Sequence, residues 1–442
     1  MKRFFSAHLL AAVTLAGLAG CGGSSGGDDS EFNQSYIQFY NGSASNSSVA
    51  GAAGETSLGT ATYGDASSLV TVEPGSYTLK LTNSNTTDTL LEQELSLAKG
   101  DKTLFLLTES SDQPDYLQVS FSRNDALDNA FNLHLANLSA QYPQLDIYLG
   151  EEGKPFADAE LVTGLSLNEI TATASNHATG KYNLYLTEAG QQTPVFERRA
   201  VDFRFTTTYV LIVRDKHGPI EQQIVVDIVL NSTTVENLDH ENATAQYRIY
   251  NGLAATDISV ALDNTEVLQL AEGDFSAYQS VNRGDYSLSV RDADTTNQIL
   301  LNSALLSITP GQSRALLVFE DVNQQVSLLN IAETELPQVQ SHDVAVANLV
   351  PEEGTLSVYF VRQNETINTA RYHVKNLDPG KQAGITLPKD YYAIALVKGA
   401  DSSSANLLYK TDLMQLESGK RYVIAAESDP QSASGYHLTL LY

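Results

Sequence analysis

The sequence predicts an all-β protein, four tandem immunoglobulin-like or Greek-key β-sandwich domains behind an N-terminal export segment. Residues 64–79 (GDASSLVTVEPGSYTL) return 209 residues later as residues 273–288 (GDFSAYQSVNRGDYSL), identical at Gly64, Asp65, Ser67, Val72, Gly75, Tyr77 and Leu79. Short runs of aliphatic, Tyr and Thr residues alternate with Gly, Asn, Asp and Pro turns every roughly 8 to 15 residues, and helical periodicity is missing throughout. Apolar residues make up 42% of the chain, with 22 Tyr and no Trp, which is too apolar for disorder.

At the N-terminus, Lys2 and Arg3 precede an apolar run over residues 9–18, too short to span a bilayer as a mature helix, so residues 1–20 read as a secretory signal. The run ends in Leu18-Ala19-Gly20-Cys21, which resembles the lipobox of bacterial lipoproteins, and Cys21 is the sole cysteine and the expected lipidation site. The resemblance implies diacylation of Cys21, cleavage before it and acylation of the new amine. Several acyl chains, at about 0.8 kcal/mol per buried methylene, hold a protein stably on a membrane. Gly22 in place of Asp after the cysteine implies the outer membrane of a Gram-negative bacterium. Residues 21–34 form a Gly/Ser-rich flexible tether. A net charge of −27 argues against binding nucleic acid or an anionic membrane surface through basic patches.

Domain A1, residues 35–123, opens with a strand at 36–40 that Asn41-Gly42 stops as a turn. A small-residue loop follows at 49–59. The repeated motif then supplies two strands around a turn where Gly75 is expected to need positive φ. Strands at 90–97, 103–107 and 116–121 complete the domain. Domain B1, residues 130–231, has strands at 131–135, ending at Asn137, and at 145–148, a Gly180-Lys181-Tyr182 turn, strands at 209–213 and 224–229, then a polar linker at 232–244. Domain A2, residues 245–332, starts with 247–250 and Asn251-Gly252. Domain B2, residues 341–442, starts with 343–347 and Asn348, and has Lys389-Asp390-Tyr391-Tyr392 where the others have Gly-x-Tyr. Lys389 or Asp390 is therefore expected to serve that turn, Asp tolerating the left-handed region better than most residues.

The spacing from the first-strand Asn to the second-turn Tyr is 36, 45, 35 and 44 residues in turn, and the A domains have Asn-Gly where the B domains have Asn-Leu. A two-domain unit, A–B, was duplicated. Each domain is long enough to bury roughly 60 to 65% of its chain surface and to fold without disulfides. Four independent domains end to end would form a rod on the order of 100 to 150 Å.

Residues 247–250, Asp257 with the alternating strand after it, Gly284-Asp285-Tyr286 and Thr309-Pro310-Gly311-Gln312 resemble the bacterial domain of unknown function family 4397, whose members are exported and often occur in tandem. Domain A1 matches through residues 64–79, B1 through residues 145–148 and 180–182, and B2 more weakly. The resemblance implies a β-sandwich in the cell envelope and supplies no reaction. Where the family has His followed by Ala or Ser at the end of the first strand, this chain has Asn, so no role of that His transfers.

His134, His177, His217, His240, His342, His373 and His437 are scattered without a ligand-pair spacing, and no metal site is expected. No nucleophile elbow, phosphate loop or dinucleotide fingerprint is present, so no cofactor and no catalysis are expected. Asp292, Asp294 and Asn297 could furnish a calcium loop but lack the EF-hand Gly and Glu, and read as a hairpin loop. Glu151-Glu152 and Glu352-Glu353 recur in corresponding loops and read as solvated turns, with contact to a cation or a basic partner as the alternative. Tyr77, Tyr182, Tyr286 and Tyr392 could line an aromatic strip, but strand-entry tyrosines usually pack on the core and bond their hydroxyl locally. The expectation is a lipid-anchored cell-envelope protein that binds, adheres or acts as a scaffold without catalysis. Its expected partners are the membrane, through the acyl chains, and an envelope protein or polymer. The alternative is an envelope enzyme or accessory subunit handling a polysaccharide or peptide polymer.

Overall fold

The structure, a computed structural model, describes residues 33–110, 113–123, 127–220, 223–295, 298–401 and 404–442. Cys21, the signal and most of the tether lie outside the described residues, which contain no α-helix. In A1 the strands are Ser35–Asn41 (β1), Ser48–Ala53 (β2), Thr56–Thr62 (β3), Val70–Val72 (β4), Gly75–Asn83 (β5), Thr89–Leu97 (β6), Asp101–Ser110 (β7) and Gln113–Ser122 (β8). They form two sheets, β4-β1-β7-β8 and β3-β2-β5-β6, in which β1 and β7 run parallel and the other pairs antiparallel. The two-sheet sandwich is the expected one, with a strand order other than the immunoglobulin ABED/CFG partition. The same order recurs in B1, A2 and B2, with Ala130–Asn137, Ala245–Asn251 and Ser341–Asn348 in the place of β1.

The repeated motif sews β4 onto β1 and then carries the chain across to the other sheet. Ser67 Oγ accepts the Phe39 N–H at 3.0 Å, and Ser276 Oγ the Ile249 N–H at 2.9 Å. Gly64 and Gly273, at φ +78° and +76°, donate their N–H to Asn41 and Asn251. Left-handed backbone is therefore needed at this first turn, where glycine adopts it without steric cost. At the second turn Gly75 has positive φ, as expected, at +157°, but Gly180, Gly284, Lys389 and Asp390 do not, so positive φ at this turn does not recur through the repeats. What recurs is the tyrosine: Tyr77, Tyr182, Tyr286 and Tyr392 each donate the hydroxyl to the carbonyl four residues upstream at 2.8 Å, pinning the crossover between sheets.

Three further expectations change. The small residues at 49–59 are not a loop but lie in β2 and β3. Gly51 is needed there because the Phe39 ring packs across it, leaving no room for a Cβ. Asn41-Gly42 is not a hairpin turn. Asn41 is fully buried, its Nδ2 donates to the carbonyls of Asn46 and Ala61, and its Oδ1 accepts the Ser43 N–H. Asn137, Asn251 and Asn348 repeat this stitch. Finally, the polar linker contains a strand, Val235–Asp239, that extends the B1 sheet beside Ile224–Val229.

The domains are not independent. Inward residues of β1 and β7, Ile37, Phe39, Phe105 and Leu107, fill the A1 core, while the outward Tyr40, Leu104 and Leu106, with Val119 and Phe121, join Ala136, Leu138, Val210, Ile212 and Val229 of B1 in one buried cluster. A2 and B2 repeat the arrangement through Tyr250, Ala315, Leu317 and Phe319 against Ala347, Leu349, Val423 and Ala425. Each A–B pair is thus sheet packed on sheet, face to face, and the expected end-to-end rod is not formed. The Asn-Gly and Asn-Leu dipeptides are complementary in shape: a Cβ at Gly42 would fall 2.5 Å from Leu138 Cδ1, so the glycine of A1 makes room for the leucine of B1. Contacts also link the two pairs, through Ser47 and Ser341 hydroxyls 2.7 Å apart and Lys216 Nζ at 3.1 Å from Glu335.

Lys102 lies fully buried on the A1–B1 face, its Nζ donating to the Leu230 carbonyl at 2.8 Å above the Phe121 ring. Burial, and then the Arg123 charge, push its pKa down to about 7 from 10.5. A lowered lysine pKa means that between about pH 7 and 10.5 the unfolded chain holds a proton that the folded chain does not, so stability rises with pH across that window. Denaturant midpoints measured over it should climb in the wild type, with a slope smaller by about one proton in Lys102→Met.

Candidate binding cleft

In the first pair the interface is closed by a charge cluster. Arg214, at the end of the β7 counterpart Thr208–Asp215, forms an ion pair with the fully buried Asp227 through Nε at 2.5 Å and Nη2 at 3.3 Å. Tyr40 of A1 donates its hydroxyl to the same carboxylate at 2.5 Å, and Asn237 Nδ2, from the unforeseen strand, donates to it at 2.6 Å. The guanidinium also stacks 4.9 Å from the Tyr63 ring and covers Gly64, where any Cβ would collide with it. Removing one partner of such a buried pair leaves the other charge unpaired in a low-dielectric setting. Burial and the nearby Asp227 push the Tyr40 hydroxyl well above its ordinary pKa, so it stays protonated as a donor.

The second pair differs at this place. Strand pairing aligns Val213 with Asn137 and Ala426 with Asn348, so the next residues, Arg214 and Glu427, occupy equivalent positions. Likewise Ile212 pairs with Asp227 and Ala425 with Thr439. A carboxylate therefore stands where the first pair has a guanidinium, and a hydroxyl where it has a carboxylate. Tyr250, the counterpart of Tyr40, donates to Glu427 Oε2 at 2.9 Å, and Thr439 donates to the same oxygen at 2.5 Å. His437 Nε2 lies 3.6 Å from it. Instead of being filled, this end of the interface opens as a cleft of about 560 Å³. Tyr250, Leu253, Leu349 and Pro351 give it apolar walls, and Glu272, Glu320, Glu352 and Glu427 make it acidic.

The residues singled out from sequence stand elsewhere or in part. The four tyrosines hold crossovers. Asp292 Oδ1 accepts the N–H groups of Asp294 and Thr295, closing its own turn, and Asn297 lies outside the described residues. Among the described residues no group of three or more His, Cys, Asp or Glu is placed to hold a metal ion. His134 packs on the Phe121 ring and His177 on the Phe131 ring, whereas His437 stands beside Glu427 and Asp429. Glu151 is exposed and Glu152 lies 4.0 Å from Lys181, both side chains in solvent. Glu353 accepts from Tyr436 at 2.7 Å and pairs with Lys398, whereas Glu352, bonded by Ser428, lines the cleft. Of the acidic pairs, one member alone thus reaches the candidate site. Tyr250 and Glu427, 177 residues apart, carried no local signal that they meet. Asp227→Ala should destabilise the first pair by about 3–5 kcal/mol, because it strands the Arg214 guanidinium, and the loss should be read as a lowered denaturant midpoint.

Comparison with known proteins adds little about function. No curated protein matches the sequence. Solved structures that resemble it include the Bacillus anthracis TIE protein, 11% identical with a TM-score of 0.16 over 89% of this chain and 67% of that one. A family 26 carbohydrate-binding module from Eubacterium rectale, in complex with maltoheptaose, is 11% identical with a TM-score of 0.15 over 45% of this chain and 97% of that one. The major pilin subunit of Bacillus cereus, BcpA, is 11% identical with a TM-score of 0.12 over 65% and 95%. At such scores these likenesses carry no argument. The family model of the domain of unknown function DUF4397 matches residues 35–148, which span A1 and the first strands of B1 rather than A2, where the resemblance was expected to be best. Over that quarter of the chain, the resemblance to the DUF4397 family holds.

Proposed function

We propose that this is a lipid-anchored cell-envelope protein whose paired β-sandwiches form a binding and scaffold module that acts without catalysis. The observation that carries the binding reading is the open cleft between A2 and B2, at the place where the first pair is sealed by its own Arg214. Sealing one interface and leaving its duplicate open separates the two tasks: A1–B1 is the structural pair nearest the tether, and A2–B2 presents a concave surface. Face-to-face packing supports the scaffold reading, since a sheet covered on both faces resists reorientation of its neighbour. The anchor rests on Cys21 in its lipobox-like setting, and the outer membrane on Gly22.

Fractionation tests the anchor. The wild-type protein should sediment with membranes and Cys21→Ser should remain in the soluble fraction. Equal membrane association of both would overturn lipidation. Protease shaving of intact against permeabilised cells then assigns the face: digestion in intact cells means surface display, and protection until permeabilisation means a periplasmic scaffold.

A further inference from the structure

We propose that the A2–B2 cleft binds an organic cation, seating an ammonium or guanidinium group against Glu427. The inference rests on the reading of the protein as a binding module and names the ligand chemistry of that module.

Two independent observations point to a cation. The first is the carboxylate. Glu427 is 8% exposed, and its Oε2 takes both the Tyr250 and the Thr439 hydroxyl. Its Oε1 accepts no hydrogen bond from the described residues, and it lies on the cleft lining, 3.2 Å from where a Gly252 Cβ would stand. That oxygen faces the cleft, where a charged N–H donor can replace water in a charge-assisted hydrogen bond. The second is the duplicated pair itself. In A1–B1 the equivalent space beside the equivalent tyrosine is occupied by a guanidinium from the chain, lying against Gly64. In A2–B2 the corresponding Gly273 has no atom within 4 Å of its Cβ position. The fold therefore already accommodates a guanidinium beside this tyrosine once. In the second copy a hydroxyl replaces the first pair's acceptor, a carboxylate stands at the arginine's own position, and the space over Gly273 is left open with no lysine or arginine among its described lining residues.

The surroundings fit. No lysine or arginine lines the cleft among the described residues, and His437 is its basic group. Glu272, Glu320 and Glu352 put negative potential over the mouth, which attracts a cation from solution. Leu349, Pro351 and the Tyr250 ring give an alkyl stem an apolar wall, and the volume lies in the range of small-ligand sites. A guanidinium, with planar paired N–H donors, can meet Glu427 Oε1 and an adjacent acceptor together, whereas an ammonium meets it as a point charge. Burial pushes the Glu427 carboxyl upward, while the Thr439 and Tyr250 hydroxyls and the nearby His437 oppose this. Affinity should therefore rise with pH as Glu427 ionises, in the field of His437, Asp429, Glu272, Glu320 and Glu352.

The test is titration of the full chain with n-butylguanidinium and with its neutral isostere n-butylurea, followed by calorimetry or ligand-observed NMR. Saturable binding of the guanidinium with little of the urea is expected, weakened about tenfold or more in Glu427→Gln, which keeps the shape and removes the charge. The double variant E427R/T439D rebuilds the arginine–aspartate arrangement of the first pair and should abolish binding while the unfolding temperature is retained. Absence of guanidinium binding, or binding that neither variant weakens, overturns the proposal. Equal binding of guanidinium and urea, lost in the double variant, also overturns the cation but leaves the binding module standing. The module itself fails on a different readout, turnover of an envelope polymer by the purified protein.

Discussion

A sheet with two apolar faces has to be covered twice, and that requirement organises this molecule. In β7, Phe105 and Leu107 point into their own sandwich, and Leu104 and Leu106 point out of it, all fully buried. Burying each such side chain is worth about 1.5–3 kcal/mol, so leaving the outward set in water would cost a large share of a domain's net stability. The B domain covers it with the matching sheet of its own sandwich. The unit of the structure is therefore the A–B pair, and the duplication copied a pair because an A domain alone would have exposed half of its buried sheet.

Once paired, the two copies were free to differ at one end of the seam. In the first, Arg214, Asp227, Tyr40 and Asn237 form a satisfied polar cluster that fills the space. In the second, reversing the charge at one position and exchanging an acid for a hydroxyl at the other leaves Tyr250 bonded to Glu427 and the space empty. The tyrosine keeps the interface registered in both, which is why the second pair can open a cleft without losing its alignment. Apolar contact supplies the stability of the seam, and the polar groups decide whether it is sealed.

Much of the fold was legible in the sequence. The 209-residue recurrence and the alternating 36/45/35/44 spacing read the duplication, and the Tyr at each strand entry read its crossover. Pairing of domains was also written there, in continuous apolar runs such as residues 104–107, 209–213 and 315–319, since strands buried on both faces lose the alternation of a half-exposed strand. The Asn-Gly and Asn-Leu difference marked the repeat type and, beyond that, encoded a knob and its hole. The cleft was not legible. Its parts, Tyr250, Gly273, Glu352, Glu427 and His437, come from two domains and meet through the packing of one sheet on another. Although Gly273 lies in the repeated motif and Glu352 in a recurring acidic pair, no local pattern says that they meet.

Native-state hydrogen exchange would test the pair as the unit most directly, comparing the wild type with Leu138→Ala, which removes the B1 knob over Gly42 and should cost about 2–5 kcal/mol. If the seam couples the domains, amides of residues 104–107 in A1 and 210–213 in B1 lose protection by the same amount. Loss confined to the B1 strands, with A1 unchanged, would contradict the account and restore four independent domains.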